Sequence, residues 1–129
     1  NGRPARVSAV DDWRQAIIAF TDAPTFTTYR REEEWRRLLA SGATVRGWSD
    51  AYGHLLVATG RAEVMLDPIM SPWDCGPFPV ILREAGGYFG DWQGNSTIYG
   101  QEGMSCNAAL LERALALTAR RETKAGQGD

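Results

Sequence analysis

The chain has 129 residues, 43% hydrophobic and 23% charged, with a formal net charge of -2 and a pI near 5.4. This length suits one domain built on one core and is short for two. Slight acidity excludes the basic stripe of a nucleic-acid binder, and no apolar run is long enough to span a bilayer.

No signal peptide pattern opens the chain. Its two cysteines, Cys75 and Cys106, are expected as reduced thiols in a cytoplasmic protein. With the single histidine, His54, they show no zinc-ligand spacing.

Residues 1–5 have turn composition, and a start without Met suits a chain that begins mid-protein. Arg6, Val7, Ser8, Ala9 and Val10 alternate as a strand does. After Asp11 and Asp12, the apolar run Ala16, Ile17, Ile18, Ala19, Phe20 predicts a buried central strand, ended by Thr21, Asp22, Ala23 and Pro24. Trp35, Leu38 and Leu39 form one stripe of a helix over 29–40, with Gly42 as its stop. Arg30, Arg31, Arg36 and Arg37 alternate with Glu32, Glu33 and Glu34, a pattern that reads as a solvated helix face.

Residues 44–48 read as a short strand. The next helix takes Ser49 or Asp50 as its N-cap, carries Ala51, Leu55, Leu56 and Ala58, and stops at Gly60. His54 falls inside that pattern and reads as a packed or surface histidine rather than a base. Val64, Met65, Leu66 and Asp67 then form a buried strand leaving through Pro68, and Asp74 opens another helical segment that closes at Gly86. Carboxylates at a strand exit and a helix start can converge on one point, as oxygen ligands of Mg²⁺ do. Asp67 is equally suited to a turn and Asp74 to an N-cap, and spacing alone leaves both readings open.

Gly76, Pro77 and Pro79 crowd that helix start, and Pro79 forgoes a hydrogen bond there. Gly86 and Gly87 permit a left-handed C-cap. Residues 87–92 and 97–99, joined by Gln93, Gly94 and Asn95, predict a hairpin. Met104 to Asn107 lead into a last helix over 108–119, capped by Ser105 or Asn107. Residues 120–129 read as a disordered tail. No repeat or linker divides the chain, so 1–129 is expected to form a single domain. Alternating strands and helices predict an α/β fold, a layered mixed sheet flanked by helices.

Trp73-Asp74, followed by Pro79-Val80-Ile81-Leu82 and Glu84-Ala85-Gly86-Gly87, resembles the C-terminal signature of the inositol monophosphatase superfamily. Gly47-Trp48-Ser49-Asp50-Ala51-Tyr52-Gly53 and Val57-Ala58-Thr59-Gly60 are similar to its histidinol-phosphatase branch. The resemblance runs from about Val7 to Leu117. The family's other metal motif, Asp-Pro-(Ile/Leu)-Asp-Gly-(Thr/Ser), is absent from this sequence, as is the Glu that precedes it. The chain therefore resembles the C-terminal half of such an enzyme and of its α/β sandwich.

The resemblance implies Mg²⁺-dependent hydrolysis of a phosphate monoester. It makes Asp74 the one metal ligand this half supplies. Asp67 would contact the non-phosphate part of a small phosphorylated metabolite, with Asp50 and the adjacent Ser49 across the pocket. Arg46 is a candidate for a phosphate oxygen, against an ordinary surface ion pair. An Asp at position 50 suits a cationic amine and so favours histidinol phosphate. Inositol monophosphate is the alternative substrate, and a non-catalytic interaction domain keeping the half-fold is the alternative function. No nucleic-acid or membrane partner is expected. The full-length enzyme is expected to be a homodimer. A lone Asp makes a poor Mg²⁺ site, so this chain alone is expected to be silent.

Overall fold

The computed structural model describes residues 2–47 and 50–119, with the backbone alone for Asp50 and Ala51. Ser49 and the tail over 120–129 lie outside the described residues. Five strands form one sheet: β1 (Ile17–Phe20), β2 (Thr44–Gly47), β3 (Val64–Asp67), β4 (Tyr88–Gly90) and β5 (Gly103–Cys106). Their order is β2-β1-β3-β5-β4. The first three run parallel, with Ile18 opposite both Val45 and Val64, whereas β5 lies antiparallel to β3 and to β4. The sheet is therefore mixed, as alternation of strands and helices predicted.

Short apolar runs with both faces covered make such strands. Successive residues of β1 and β3 point to opposite faces. Ala19 and Met65 pack with Val57, Phe78 and Leu82 from α3 (Asp50–Ala58) and α5 (Phe78–Glu84). Ile18, Val64 and Leu66 pack on the other face with Phe26 of α1 (Pro24–Thr28), Leu38 of α2 (Glu32–Ala40) and Ala114 of α6 (Leu111–Thr118). Helices thus cover both sides of the sheet. Helix α3 approaches β3 closely because Gly53 lacks a side chain, and a Cβ there would run into Met65 Sδ.

Several expected elements fold differently. Residues 6–10 form no strand. They are tethered by Val7 N donating to the Ala85 carbonyl at 3.0 Å, and by Asn107 Nδ2 donating to the carbonyls of Ser8 and Val10. The helix expected over 29–40 begins at Glu32, because Arg30 takes a left-handed conformation (φ 59°) and separates it from α1. The helix expected from Asp74 is two helices, α4 (Pro72–Cys75) and α5, divided at Gly76 and Pro77, with Ser71 rather than Asp74 at the N-cap of α4. Gly86, at φ 86°, supplies the left-handed C-cap, and Gly87 N donates back to the Leu82 carbonyl at 2.7 Å.

The predicted hairpin does not form. Residues 97–99 are not a strand, and β4 pairs instead with β5, read from sequence as a lead-in to the last helix. Asn107 closes the turn before α6, its Oδ1 accepting from Leu110 N at 3.0 Å, whereas Ser105 sits on β5. The expected solvated Arg/Glu face is also partly buried. Arg31 and Glu34 are 7% and 3% exposed, and Arg31 lies 4.6 Å from the Trp92 ring centroid.

Candidate active-site cleft

The parallel strands β2, β1 and β3 all end at one edge of the sheet, at Gly47, Phe20 and Asp67. Ligands of open α/β sheets bind beyond this carboxyl edge, where side chains leaving adjacent strands converge. Thr21 is the first residue past β1. The loop after β3 turns through Pro68 into α4, whose first turn carries Asp74. Together these segments enclose a cleft of about 380 Å³, lined by Thr21, Thr25, Asp67, Ile69, Asp74 and Phe78 among others.

Asp67 is held at the cleft floor and only 6% exposed. The Thr21 hydroxyl donates to its Oδ1, and His54 Nε2 lies 2.9 Å from its Oδ2. On the far side of the ring, His54 Nδ1 is 2.7 Å from Ser105 Oγ. A carboxylate only accepts hydrogen bonds, so Nε2 carries the proton, and in the neutral ring Nδ1 is left to accept the Ser105 hydroxyl. Phe78 and Phe89 bracket the imidazole, with centroids 4.7 and 5.4 Å away. Ser105 and His54 are both fully buried. A seryl oxygen sealed inside the sheet has no access to substrate, so this Ser-His-Asp series is no nucleophilic triad.

Asp74 is exposed. Among the described residues its carboxylate takes no hydrogen bond and no ion pair, so its oxygens face the cleft and solvent unclaimed. Beside it, burial and then the charges of Asp74 and Asp67 push the Cys75 thiol up to about 11. Burial and Glu63 push Cys106 up to about 12. Both are free and buried, and protonated thiols of this kind are poor nucleophiles and metal ligands.

The structure thus brings Asp67 and Asp74 to one cleft. Arg46 is exposed on the edge strand β2 and is not among the residues lining it. Asp50 begins α3 just beyond the same sheet edge, but its side chain and all of Ser49 lie outside what is described. Thr21 and Thr25 went unassigned in the sequence, and His54, read there as a packed or surface histidine, is packed, with its link to Asp67 unforeseen. His54 shares one helix stripe with Gly53 and Val57, and a polar residue on a buried stripe needs a partner; that was the available signal.

Among the described residues, no group of three or more His, Cys, Asp and Glu could hold a metal ion. Mg²⁺ takes six oxygens and keeps several waters. The unclaimed Asp74 carboxylate fits one such position, with hard oxygen chemistry, and the remaining oxygens would come from water, substrate or other protein. Among the described residues no helix is long and apolar enough to cross a membrane.

Solved structures share this architecture. The extragenic suppressor protein suhB of Bartonella henselae superposes with a TM-score of 0.80 at 22% identity, over 95% of this chain and 49% of that one. An IMPase-II bound to inositol monophosphate gives a TM-score of 0.74 at 25% identity, over 87% and 45% respectively. These likenesses define the class: an α/β protein with the inositol monophosphatase fold. In sequence, the histidinol-phosphatase of Chlorobaculum parvum is 40% identical over 117 residues, 90% of this chain and 45% of that protein. The profile of the inositol monophosphatase family matches residues 1–124, and the chain belongs to that family. It spans about half the length of the relatives it matches, in line with the resemblance to a C-terminal half.

Proposed function

We propose that this chain is the C-terminal part of a Mg²⁺-dependent phosphoric monoester hydrolase whose substrate is histidinol phosphate. The observation that carries the reading is the convergence of Asp67 and Asp74 on one cleft at the carboxyl edge of the sheet. The 40% identity to a histidinol-phosphatase supports the choice of substrate.

In this reading Asp74 gives one oxygen to Mg²⁺. When bound, the ion would neutralise phosphate charge and acidify a water. Asp67 faces the substrate's amine, with Thr21 holding the carboxylate in place. Ser49 and Asp50 complete the substrate side, and Arg46, which does not line the cleft, is an ordinary surface residue. Residues 1–129 act as one domain of a cytoplasmic enzyme that works as a homodimer at full length. The chain by itself supplies too few oxygens for the metal and is inactive.

The test is phosphate release by the full-length protein from histidinol phosphate and from inositol 1-phosphate, with Mg²⁺ and with chelator. The expected result is chelator-sensitive turnover that favours histidinol phosphate. The second reading, an inositol monophosphatase, draws on the inositol-monophosphate-bound structural relative and predicts the opposite preference. Absence of turnover with either ester would leave the half-fold as a non-catalytic interaction domain.

A further inference from the structure

We propose that His54 is a positioning residue for substrate selection: held by Ser105, it orients the Asp67 carboxylate toward a cationic substrate group. The inference rests on the reading that Asp67 meets the non-phosphate part of the substrate.

Three elements contribute to the arrangement. His54 comes from α3, Asp67 ends β3 and Ser105 lies on β5. The imidazole is fully buried, with Ser105 Oγ at 2.7 Å on one nitrogen and Asp67 Oδ2 at 2.9 Å on the other. The rings of Phe78 and Phe89 confine its plane. A site sealed this well would be served for packing alone by a leucine or phenylalanine, without two polar atoms to satisfy. The second nitrogen instead reaches the one carboxylate at the cleft floor.

The direction of the hydrogen bonds matters. A carboxylate only accepts, so the Nε2 proton is aimed at Asp67, and the Ser105 hydroxyl, able to donate or accept, holds the ring by Nδ1. Thr21 donates to the other carboxylate oxygen. Both contacts orient the carboxylate and fix which of its acceptor positions face the cleft. Among the described residues no Arg or Lys pairs with Asp67. Two donors leave roughly half of a carboxylate's acceptor positions open. An ammonium group placed there gains from charge as well as hydrogen bonding, whereas a polyol hydroxyl gains only the latter.

The experiment measures kcat and KM of the full-length enzyme with Mg²⁺ for histidinol phosphate and for inositol 1-phosphate, in Asp67→Asn, His54→Leu, His54→Gln and Ser105→Ala variants. His54→Leu is expected to reduce the preference for the cationic ester about tenfold, the scale of one lost hydrogen bond to a charged group, with most of the change in KM. His54→Gln, whose amide can donate to Asp67, restores most of that preference. Ser105→Ala keeps the ring but frees its Nδ1 end, and gives a smaller loss in the same direction; it also keeps the test decisive if His54→Leu does not fold. Equal losses on both esters, no change on either, or a glutamine variant no better than leucine would overturn the proposal. An unaltered preference in Asp67→Asn would remove the underlying reading of Asp67 and the proposal with it. Loss of preference in Asp67→Asn without any in the His54 and Ser105 variants would overturn the His54 assignment alone.

Discussion

Arg31 and Glu102, 71 positions apart, form an ion pair inside the protein, at side-chain exposures of 8% and 6%. Arg31 also bonds Glu34 at 2.8 Å, and Glu102 accepts the Trp92 backbone N–H at 2.9 Å. The cluster ties the start of α2 to the loop before β5. Breaking a buried pair by removing one partner leaves an uncompensated charge, at a cost of about 3–5 kcal/mol. Arg31→Met, which takes the shared cation from the buried Glu102 carboxylate, is therefore expected to lower the urea midpoint steeply. The control is Glu33→Ala, since Glu33 and Arg36 are exposed and 3.8 Å apart, where the change should stay within about 0.5 kcal/mol.

Asp91 gives the protein a specific acid sensitivity. Burial raises its pKa, but hydrogen bonds from the Asn95 side chain and from the backbone of Asn95, Gln93 and Gly94 outweigh that and leave it below the ordinary value of 3.8. A carboxyl whose folded-state pKa is depressed contributes stability above its unfolded value and loses it as pH falls through the folded value. Thermal melts should show Asp91→Asn less stable than the parent above about pH 4, the unfolded carboxyl range. The difference should shrink as the pH drops below that range. A constant gap down to strong acid would mean that the carboxylate charge contributes nothing.

Gly53→Ala tests how tightly α3 sits on β3. The added methyl meets the Met65 side chain, and overpacking of this kind costs about 1–3 kcal/mol. Met65→Ala in the same chain should recover part of the loss, which calorimetry of the single and double variants would measure.

Thiol chemistry offers a further check. With Cys75 raised to about 11 and Cys106 to about 12 by burial, neither should react with a thiol reagent at pH 8 in the native state. Both should react on adding denaturant. Rapid labelling of one cysteine under native conditions would show that its cover opens.

On the proposed metal role, Asp74→Asn in the full-length enzyme should raise the Mg²⁺ concentration for half-maximal activity at least about tenfold, since even indirect metal contacts are worth 10–100-fold. An unchanged Mg²⁺ requirement would remove Asp74 from the metal.

The sequence announces those elements whose apolar pattern is local. Ile17, Ile18, Ala19 and Phe20, like Val64, Met65 and Leu66, are continuous apolar runs, and both are strands. Gly103, Met104, Ser105 and Cys106 have little strand preference of their own, and their conformation follows from partners on both sides. Thr97, Ile98 and Tyr99 have the preference without a partner, because Asp91 gathers Gln93 and Asn95 into a separate turn. Arg31 looked solvated because its partner Glu102 is remote in the chain. The same distance hid Thr21 and His54, whose contacts to Asp67 exist only once β1, α3 and β3 are side by side. Asp67 and Asp74 were legible because both sit at changes of secondary structure.

Strand β3 is flanked by a parallel neighbour made earlier in the chain and an antiparallel one made later. During synthesis one side of this strand therefore waits, its N–H and C=O groups open, until Cys106 has left the ribosome. An uncovered strand of Val64, Met65 and Leu66 is an adhesive surface. A nascent chain stalled between β3 and β5 should be more prone to clump than one halted after β5.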